Sequence, residues 1–176
     1  MPKITPTQLG EWFDAYNRVM TLYATQWVGP VEAEDVIQDV FLRLVSREPN
    51  LDHIQAWLFR AVKNACLNRI RSRNRRRPRE ERAFSSETDW FEPQTGDAID
   101  TKLVKELLMN LPHDQREIVI LKTWANLTLQ QIATLNGVSA TTVHRCYQRA
   151  INTMRQQVES PCPSSAQSLN AKGPNK

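Results

Sequence analysis

Residues 127–155 read LTLQQIATLNGVSATTVHRCYQRAINTMR and predict two short helices joined by a tight turn. Thr128 and Gln131 form a capping-box pattern at the start of the first helix. Gly137 stands at the break, where glycine tolerates the left-handed backbone that a sharp turn requires. Ser139 is a suitable N-cap for the second helix. The stretch therefore predicts a helix-turn-helix.

The second of these helices has one apolar and one polar face when its residues are placed at about 100° per residue. No acid occurs from Ser139 to Gln157. The donors on the polar face can read base edges and phosphates in a DNA major groove, whereas a plain helical hairpin with a basic surface is the alternative. The apolar set is Val143, Tyr147, Ala150 and Met154, with Cys146 at its edge, and the polar set is Thr141, His144, Arg145, Gln148, Arg149, Asn152 and Arg155.

Composition and charge limit the class of protein. The chain has 176 residues, a hydrophobic content of 40% and only 5 glycines, and its long helical periodicities predict an all-α protein. The net charge of +4 permits a polyanionic partner. The three cysteines are far apart and form no CxxC or His/Cys cluster, so we expect no metal, no cofactor and no disulfide framework. Without a signal-peptide core or a membrane-length apolar run, we expect a cytoplasmic protein with no membrane segment.

Three amphipathic helices are predicted in the N-terminal part, at 7–27, 32–46 and about 53–75. The first carries a broad apolar stripe from Leu9 to Trp27. The second has an acidic and polar outer face, which suits either a solvated helix start or a docking face for a basic partner. Its predicted buried side is Val36, Ile37, Val40, Phe41, Leu44 and Val45.

The third helix is predicted to begin at a capping box of Asp52 and Gln55 and to end as a basic arm. Residues 69–82 contain eight arginines and two acids, a pattern that favours phosphate binding over a merely solubilising tail. The side predicted to face the core is Ile54, Trp57, Leu58, Ala61, Ala65 and Ile70. The opposite side is Arg60, Lys63, Asn64, Asn68, Arg71 and Arg75.

The remaining chain predicts a linker and a second helical domain. Residues 83–101 contain five acids and no lysine or arginine, and we interpret 78–97 as a flexible acidic tether. Helices are predicted at 98–110, with Ile99, Leu103, Val104, Leu107 and Leu108 on one side, and at 113–124, burying Ile118, Val119 and Leu121. The expected organisation is a domain at 7–77, a linker at 78–97, a domain at 98–158 and a disordered tail at 159–176.

Two long segments resemble one known family. EAEDVIQDVFLRL with AWLFRAVKNACLNRIRSRNRR is similar to region 2 of bacterial extracytoplasmic-function sigma factors, which belong to the sigma-70 family. LPHDQREIVILKTWANLTLQQIATLNGVSATTVHRCYQRAINTMR is similar to their region 4. The resemblance covers about residues 10–157. Two motifs in the right order and separation are more specific than a helix-turn-helix alone.

The resemblance implies partners and sites. A member of this family binds core RNA polymerase, through the clamp helices of the largest subunit and through the flap, directs initiation at promoter DNA, and usually has an anti-sigma factor. The implied polymerase-binding residues are Asp35, Gln38, Asp39 and Arg43. The implied readers of the minus-10 element are Asn50, Asp52, His53, Asn64, Asn68, Arg71 and Arg75. Those of the minus-35 element are Thr141, Thr142, His144, Arg145, Gln148 and Arg149.

The recognition helix departs from the family pattern at one place, and two other functions are alternatives to that of a sigma factor. The family often has a Ser-Arg pair after the valine of the recognition helix, where this chain has Arg145 and Cys146. A stand-alone helix-turn-helix regulator would bind duplex DNA without polymerase. An enzyme acting on DNA would need a nucleophile with activating groups, but the first serine, Ser46, has only Arg43 and Arg47 nearby and no Walker loop occurs. We therefore expect no enzymatic activity.

Overall fold

The computed structural model of the chain describes residues 4–47, 53–76 and 98–159, and these residues form helices and short connections. The predicted all-α class is confirmed. Each helix begins and ends within about two residues of its predicted bounds, since the breaks at glycine and proline punctuate the sequence clearly. The helices are α1 (Pro6–Val28), α2 (Pro30–Arg47), α3 (Ile54–Arg76), α4 (Ala98–Met109), α5 (His113–Thr123), α6 (Leu129–Asn136) and α7 (Ala140–Glu159).

The predicted helix-turn-helix is confirmed in detail. The Thr128 hydroxyl accepts from the Gln131 backbone N–H at 3.2 Å, and the Gln131 side chain accepts from the Thr128 N–H at 2.8 Å. Gly137 ends α6 with φ 68° and ψ 31°, which is the left-handed region. Ser139 Oγ accepts from the Thr142 N–H at 3.1 Å and so caps α7.

Helices α1, α2 and α3 form an N-terminal unit whose core differs in part from the prediction. Phe59, Val62 and Cys66 on α3 are buried, although the sequence stripe omitted them. Val45 was predicted to be buried but is 53% exposed, because it lies in the last turn of α2, beyond the fully buried Leu44. The largest fully buried side chains of this unit are Met20, Tyr23, Val36, Ile37, Leu44, Leu58 and Phe59.

Helices α4 to α7 form a C-terminal unit around a smaller core. Leu108, Leu111, Val119 and Ala150 pack together there. The prediction that Leu103 is buried is wrong, since it is 42% exposed one turn before the buried end of α4. Fully buried side chains of the unit that pack with the N-terminal core are Ile120, Leu121, Leu127, Ile132 and Val143.

The two units lie against each other, α1 against α5 and α3 against α6. The rings of Trp27 and His113 meet edge to face with centroids 4.3 Å apart. The Gln55 side chain, predicted to complete a capping box, donates to the backbone carbonyl of Ala125 in the other unit. The predicted cap Asp52 and the tether at 78–97 lie outside the described residues.

The Cys66 thiol should be chemically inert in the native protein. Burial raises its pKa to about 12, and the side chain is fully enclosed by α3 and its neighbours. At pH 8 the nucleophilic thiolate is therefore almost absent. We expect iodoacetamide to leave Cys66 unmodified in the native chain and to modify it after denaturation, as read by peptide mass spectrometry. Rapid native modification of Cys66 would contradict this burial.

Candidate nucleic-acid interface

Helix α7 presents the predicted minus-35 readers as one exposed surface. Val143 and Ala150 are fully buried and anchor the opposite side of the helix. Cys146, which stands where the family often has arginine, is half-buried, and its thiol donates to Asp114 at 3.8 Å. Cys146 therefore belongs to the contact with α5 rather than to the reading face. The exposed residues are Thr141, Thr142, His144, Arg145, Gln148 and Arg149.

Helix α3 places four of the predicted minus-10 residues on a single stripe. Their separations of four, three and four residues bring them to one side of a helix with 3.6 residues per turn. His53, just before the helix, is also exposed, and Trp57 is half-buried at the same side. The predicted residues Asn50 and Asp52 lie outside the described residues. The stripe consists of Asn64, Asn68, Arg71 and Arg75, all exposed.

Helix α2 carries the predicted polymerase-binding residues on its outer side. Asp35 and Asp39 keep 64% and 49% of their side-chain surface exposed. Gln38 and Arg43 are exposed as well. Between this helix and α3 runs an open groove of about 600 Å³, which Asp39 and Arg43 help to line.

A second row of basic residues on α3 was not predicted to interact with α2. Arg69 lies 3.5 Å from Asp35 Oδ2 and 3.2 Å from Asp39 Oδ2, and Arg73 pairs with Glu32. These pairs are partly exposed and each contributes at most about 1 kcal/mol to stability. They matter because they separate the arginines of α3 into a paired row and an exposed row. The four-residue spacing of Arg69 and Arg73 places both on one side of α3, but it does not identify α2 as their partner.

A buried polar cluster joins the two units and was missed because its members are distant in sequence. Glu117 on α5 is only 4% exposed. It accepts from the Tyr23 hydroxyl at 2.6 Å and from Lys63 Nζ at 2.9 Å, and Lys63 also donates to Asn136 Oδ1 at 2.7 Å. Burial and the Glu117 carboxylate raise the pKa of Tyr23 well above its ordinary value, so the phenol remains a donor. The prediction that Lys63 points away from the core is therefore wrong.

Over residues 4–47, 53–76 and 98–159, no three His, Cys, Asp or Glu side chains are grouped so that they could hold a metal ion. Across the same three ranges, no helix has both the length and the apolar composition needed to cross a membrane.

Family models match both units of the chain. Sigma-70 region 2 matches residues 12–76, which span most of α1 and all of α2 and α3. Sigma-70 region 4 matches residues 101–154, which include the helix-turn-helix. Together the two matches cover more than half of the sequence. A stand-alone regulator is not favoured, because the N-terminal unit matches region 2 rather than an unrelated interaction domain.

Relatives and solved structures agree with these matches. The chain is 28% identical over 135 residues to the RNA polymerase sigma-E factor of Streptomyces avermitilis, covering 74% of this chain and 73% of the relative. Its identity to the sigma-E factor of Streptomyces coelicolor is 26% over 132 residues, covering 73% of each chain.

The fold is similar to that of proteins in two solved complexes. The sigma factor RpoE of Bartonella quintana, crystallised with the anti-sigma factor NepR, gives a TM-score of 0.66 at 20% identity, covering 88% of this chain and 98% of that one. CnrH, solved with the cytosolic domain of CnrY, gives a TM-score of 0.58 at 17% identity, covering 88% and 90%. With regions 2 and 4 both present in order, the chain belongs to the sigma-70 family as an alternative sigma factor of the extracytoplasmic-function group, which directs transcription initiation.

Proposed function

We propose that this sigma factor docks on core RNA polymerase through the outer side of α2 and reads a two-part promoter with α3 and α7. The observation that carries the proposal is the simultaneous exposure of three separate surfaces on one chain. One surface is acidic and polar, and the other two are rich in arginine, amide and hydroxyl donors. The acidic surface suits a basic protein partner, and the donor surfaces suit DNA.

In this proposal the N-terminal domain, 7–77, binds the clamp helices and the minus-10 element. The exposed stripe of α3 contacts phosphates with Arg71 and Arg75, while Asn64 and Asn68 supply amide groups for bases. Asn50, Asp52 and His53 are assigned to the capture of an unstacked base. Base capture would drive strand opening without ATP, since extruding a base costs only a few kcal/mol.

The C-terminal domain, 98–158, docks at the flap and presents α7 to the major groove of the minus-35 element. Within α7, Arg149 and Gln148 lie one turn beyond His144 and Arg145, so the face can follow several base pairs. The linker at 78–97 and the tail at 159–176 complete the proposed organisation. Joining two weak readers raises their effective concentration on a promoter that has both elements.

In this proposal the protein acts in the cytoplasm as a specificity subunit of RNA polymerase and has no catalytic activity of its own. An anti-sigma factor is proposed as its regulator, because one solved structure of similar fold is a complex of a sigma factor with an anti-sigma factor. The deciding experiment is run-off transcription with core polymerase on a promoter library. Failure to bind core polymerase or to support promoter-dependent initiation would reject the sigma role.

Asp39→Arg should weaken binding to core polymerase by about tenfold or more. The substitution places a positive charge against the basic partner surface that the acidic side of α2 is proposed to bind. Binding would be measured by fluorescence anisotropy of the labelled chain titrated with core enzyme. Arg69→Ala is the matched control, since it removes the same internal ion pair and leaves the carboxylate of Asp39 in place. Equal losses in the two variants would assign the effect to the ion pair rather than to docking.

Arg149→Ala should reduce minus-35-dependent initiation while leaving core binding intact. A base or phosphate contact of this kind contributes about 1–3 kcal/mol, which corresponds to roughly a 5- to 150-fold loss. Run-off transcription on templates with and without the minus-35 element measures it. Arg155→Ala, also exposed on α7 but beyond the predicted readers, should have a much smaller effect. An equal effect of both substitutions would favour non-specific attraction.

A further inference from the structure

A groove of about 330 Å³ lies between α3 of the N-terminal unit and α6 of the C-terminal unit. Its α3 wall contains His53, Trp57 and Arg60, whose spacings of four and three residues place them on one side of a helix. Its α6 wall contains Gln130 and Thr134, which are four residues apart and share one side in the same way. Two rows of side chains, one from each unit, therefore line the same groove.

Two polar contacts between the units hold the walls of this groove in place. The Gln55 side chain donates to the Ala125 carbonyl, and Lys63 Nζ donates to Asn136 Oδ1 at 2.7 Å. Gln55 lies near the start of the α3 wall, and Lys63 lies three residues beyond Arg60. Small-molecule sites are usually formed before the ligand binds, often between domains, in clefts of about 300–1,000 Å³. The groove has the location and the size of a site for one small molecule.

The lining of the groove combines apolar surface with hydrogen-bonding groups. Ala56, the half-buried Trp57 and Leu135 supply the apolar part. None of the described residues that line the groove is an acid. Arg60 is exposed and forms no ion pair with any residue that the structure describes. The lining therefore favours an anion that carries a flat aromatic ring.

A purine nucleoside monophosphate matches these groups one by one. The indole of Trp57 can stack on the base, and a purine offers more surface for stacking than a pyrimidine. The Arg60 guanidinium can donate two parallel hydrogen bonds to the phosphate. The Gln130 amide both donates and accepts, as the edge of a base requires. Because Trp57 and Arg60 belong to α3 and Gln130 belongs to α6, neither unit supplies the whole set.

We propose that the groove between α3 and α6 binds a purine nucleoside monophosphate, with Trp57 on the base, Arg60 on the phosphate and Gln130 at the edge of the base. The nucleotide contacts both units at once. His53 also lines the groove, so the bound nucleotide competes with the promoter base that is assigned to this residue. The competition rests on the proposed function, whereas the binding site rests on the groove alone.

Isothermal titration calorimetry of the full-length chain with adenosine 5′-monophosphate (AMP) tests the site in the absence of polymerase and promoter. We expect a Kd below about 1 mM, as suits a small ligand in a groove of this size. Adenosine lacks the phosphate and ribose 5-phosphate lacks the base. Each should bind at least about tenfold more weakly than AMP, because it loses one of the two main contacts.

Arg60→Gln should weaken AMP binding by about tenfold and leave adenosine binding unchanged, because the substitution removes only the contact to phosphate. Arg155→Gln is the matched control, since Arg155 is an exposed arginine of α7 that does not line the groove. It should bind AMP as tightly as the unaltered chain does. An equal loss in the two variants would mean non-specific attraction of the anion and would overturn the proposal.

Thr134→Tyr tests the wall that the other unit contributes. Thr134 is exposed on α6, and a larger side chain there fills the groove without changing any residue of α3. We expect AMP binding to weaken by about tenfold or more, because the ligand and the phenol ring would occupy the same space. Circular dichroism checks that both groove variants keep their helical signal.

Three results of these titrations would overturn the nucleotide site. They are absence of AMP binding, binding of ribose 5-phosphate as tight as that of AMP, and undiminished AMP binding by both Arg60→Gln and Thr134→Tyr. Binding of a single-stranded oligonucleotide without binding of AMP would also overturn it and would assign the groove to a promoter strand. Since the titrations contain no polymerase, rejection of the sigma role by run-off transcription would leave their outcome unaffected.

Discussion

Replacing Phe59 with alanine should lower the free energy of unfolding by about 3–5 kcal/mol, as deletion of a buried phenyl ring usually does. Phe59 is fully buried, and its ring meets that of Tyr23 edge to face with centroids 5.6 Å apart. The substitution therefore removes buried apolar surface, an aromatic contact and the packing between α1 and α3 together. Urea denaturation followed by circular dichroism measures the change.

Phe13→Ala provides the matched control for this prediction. Phe13 also makes an edge-to-face contact, with Phe41 at 5.1 Å, but it is 40% exposed. Water already reaches part of its ring, so we expect a loss of roughly 1–2 kcal/mol, well below that for a fully buried phenylalanine. A loss at Phe59 no greater than that at Phe13 would mean that the packing of α3 on α1 is misassigned.

Arg116→Ala should destabilise the C-terminal unit by about 2–3 kcal/mol, because it leaves carbonyl groups at a helix end without their donor. The guanidinium of Arg116 donates to the carbonyls of Leu108 at 2.9 Å, Met109 at 3.1 Å and Leu111 at 3.0 Å. One side chain of α5 thereby satisfies the end of α4 and fixes the turn between them.

Arg116→Lys separates charge from geometry in this cap. Lysine retains the favourable positive charge at a helix C-terminus but lacks the planar fork that reaches three acceptors at once. We expect an intermediate loss of stability by thermal denaturation, with weakened hydrogen-exchange protection confined to α4 and its turn. Full stability in both variants would show that water replaces the guanidinium at no cost.

The sequence predicts the helices of this protein better than it predicts their partners. Local signals such as the capping box at Thr128 and the glycine at 137 act within a few residues, so they can be recognised before the fold is known. The prediction that α3 has a single buried side is wrong, because this helix packs on α1 and α2 along one side and approaches α6 along another. Phe59 was therefore missed on the first side and Lys63 on the second.

The candidate sites also differ in how far the sequence predicts them. The reading face of α7 follows from helical periodicity and its lack of acids. The pairing of Arg69 with Asp35 and Asp39 could not be predicted, because it depends on the packing of α3 beside α2. The sequence around Glu117 does not distinguish it from a surface acid, and the contacts with Tyr23 and Lys63 of the N-terminal unit are what enclose it. Contacts between distant segments are what the sequence leaves open.

The paired row of arginines on α3 has a consequence for the ionic-strength dependence of DNA binding. Each phosphate neutralised by a free cationic side chain releases condensed counterions, which gives a slope of about 0.9 per contact in log affinity against log salt concentration. Arg69 and Arg73 already hold carboxylates of α2 as internal counterions. Binding through α3 should therefore release fewer cations, and lose less affinity as salt is added, than the arginine content of this helix indicates.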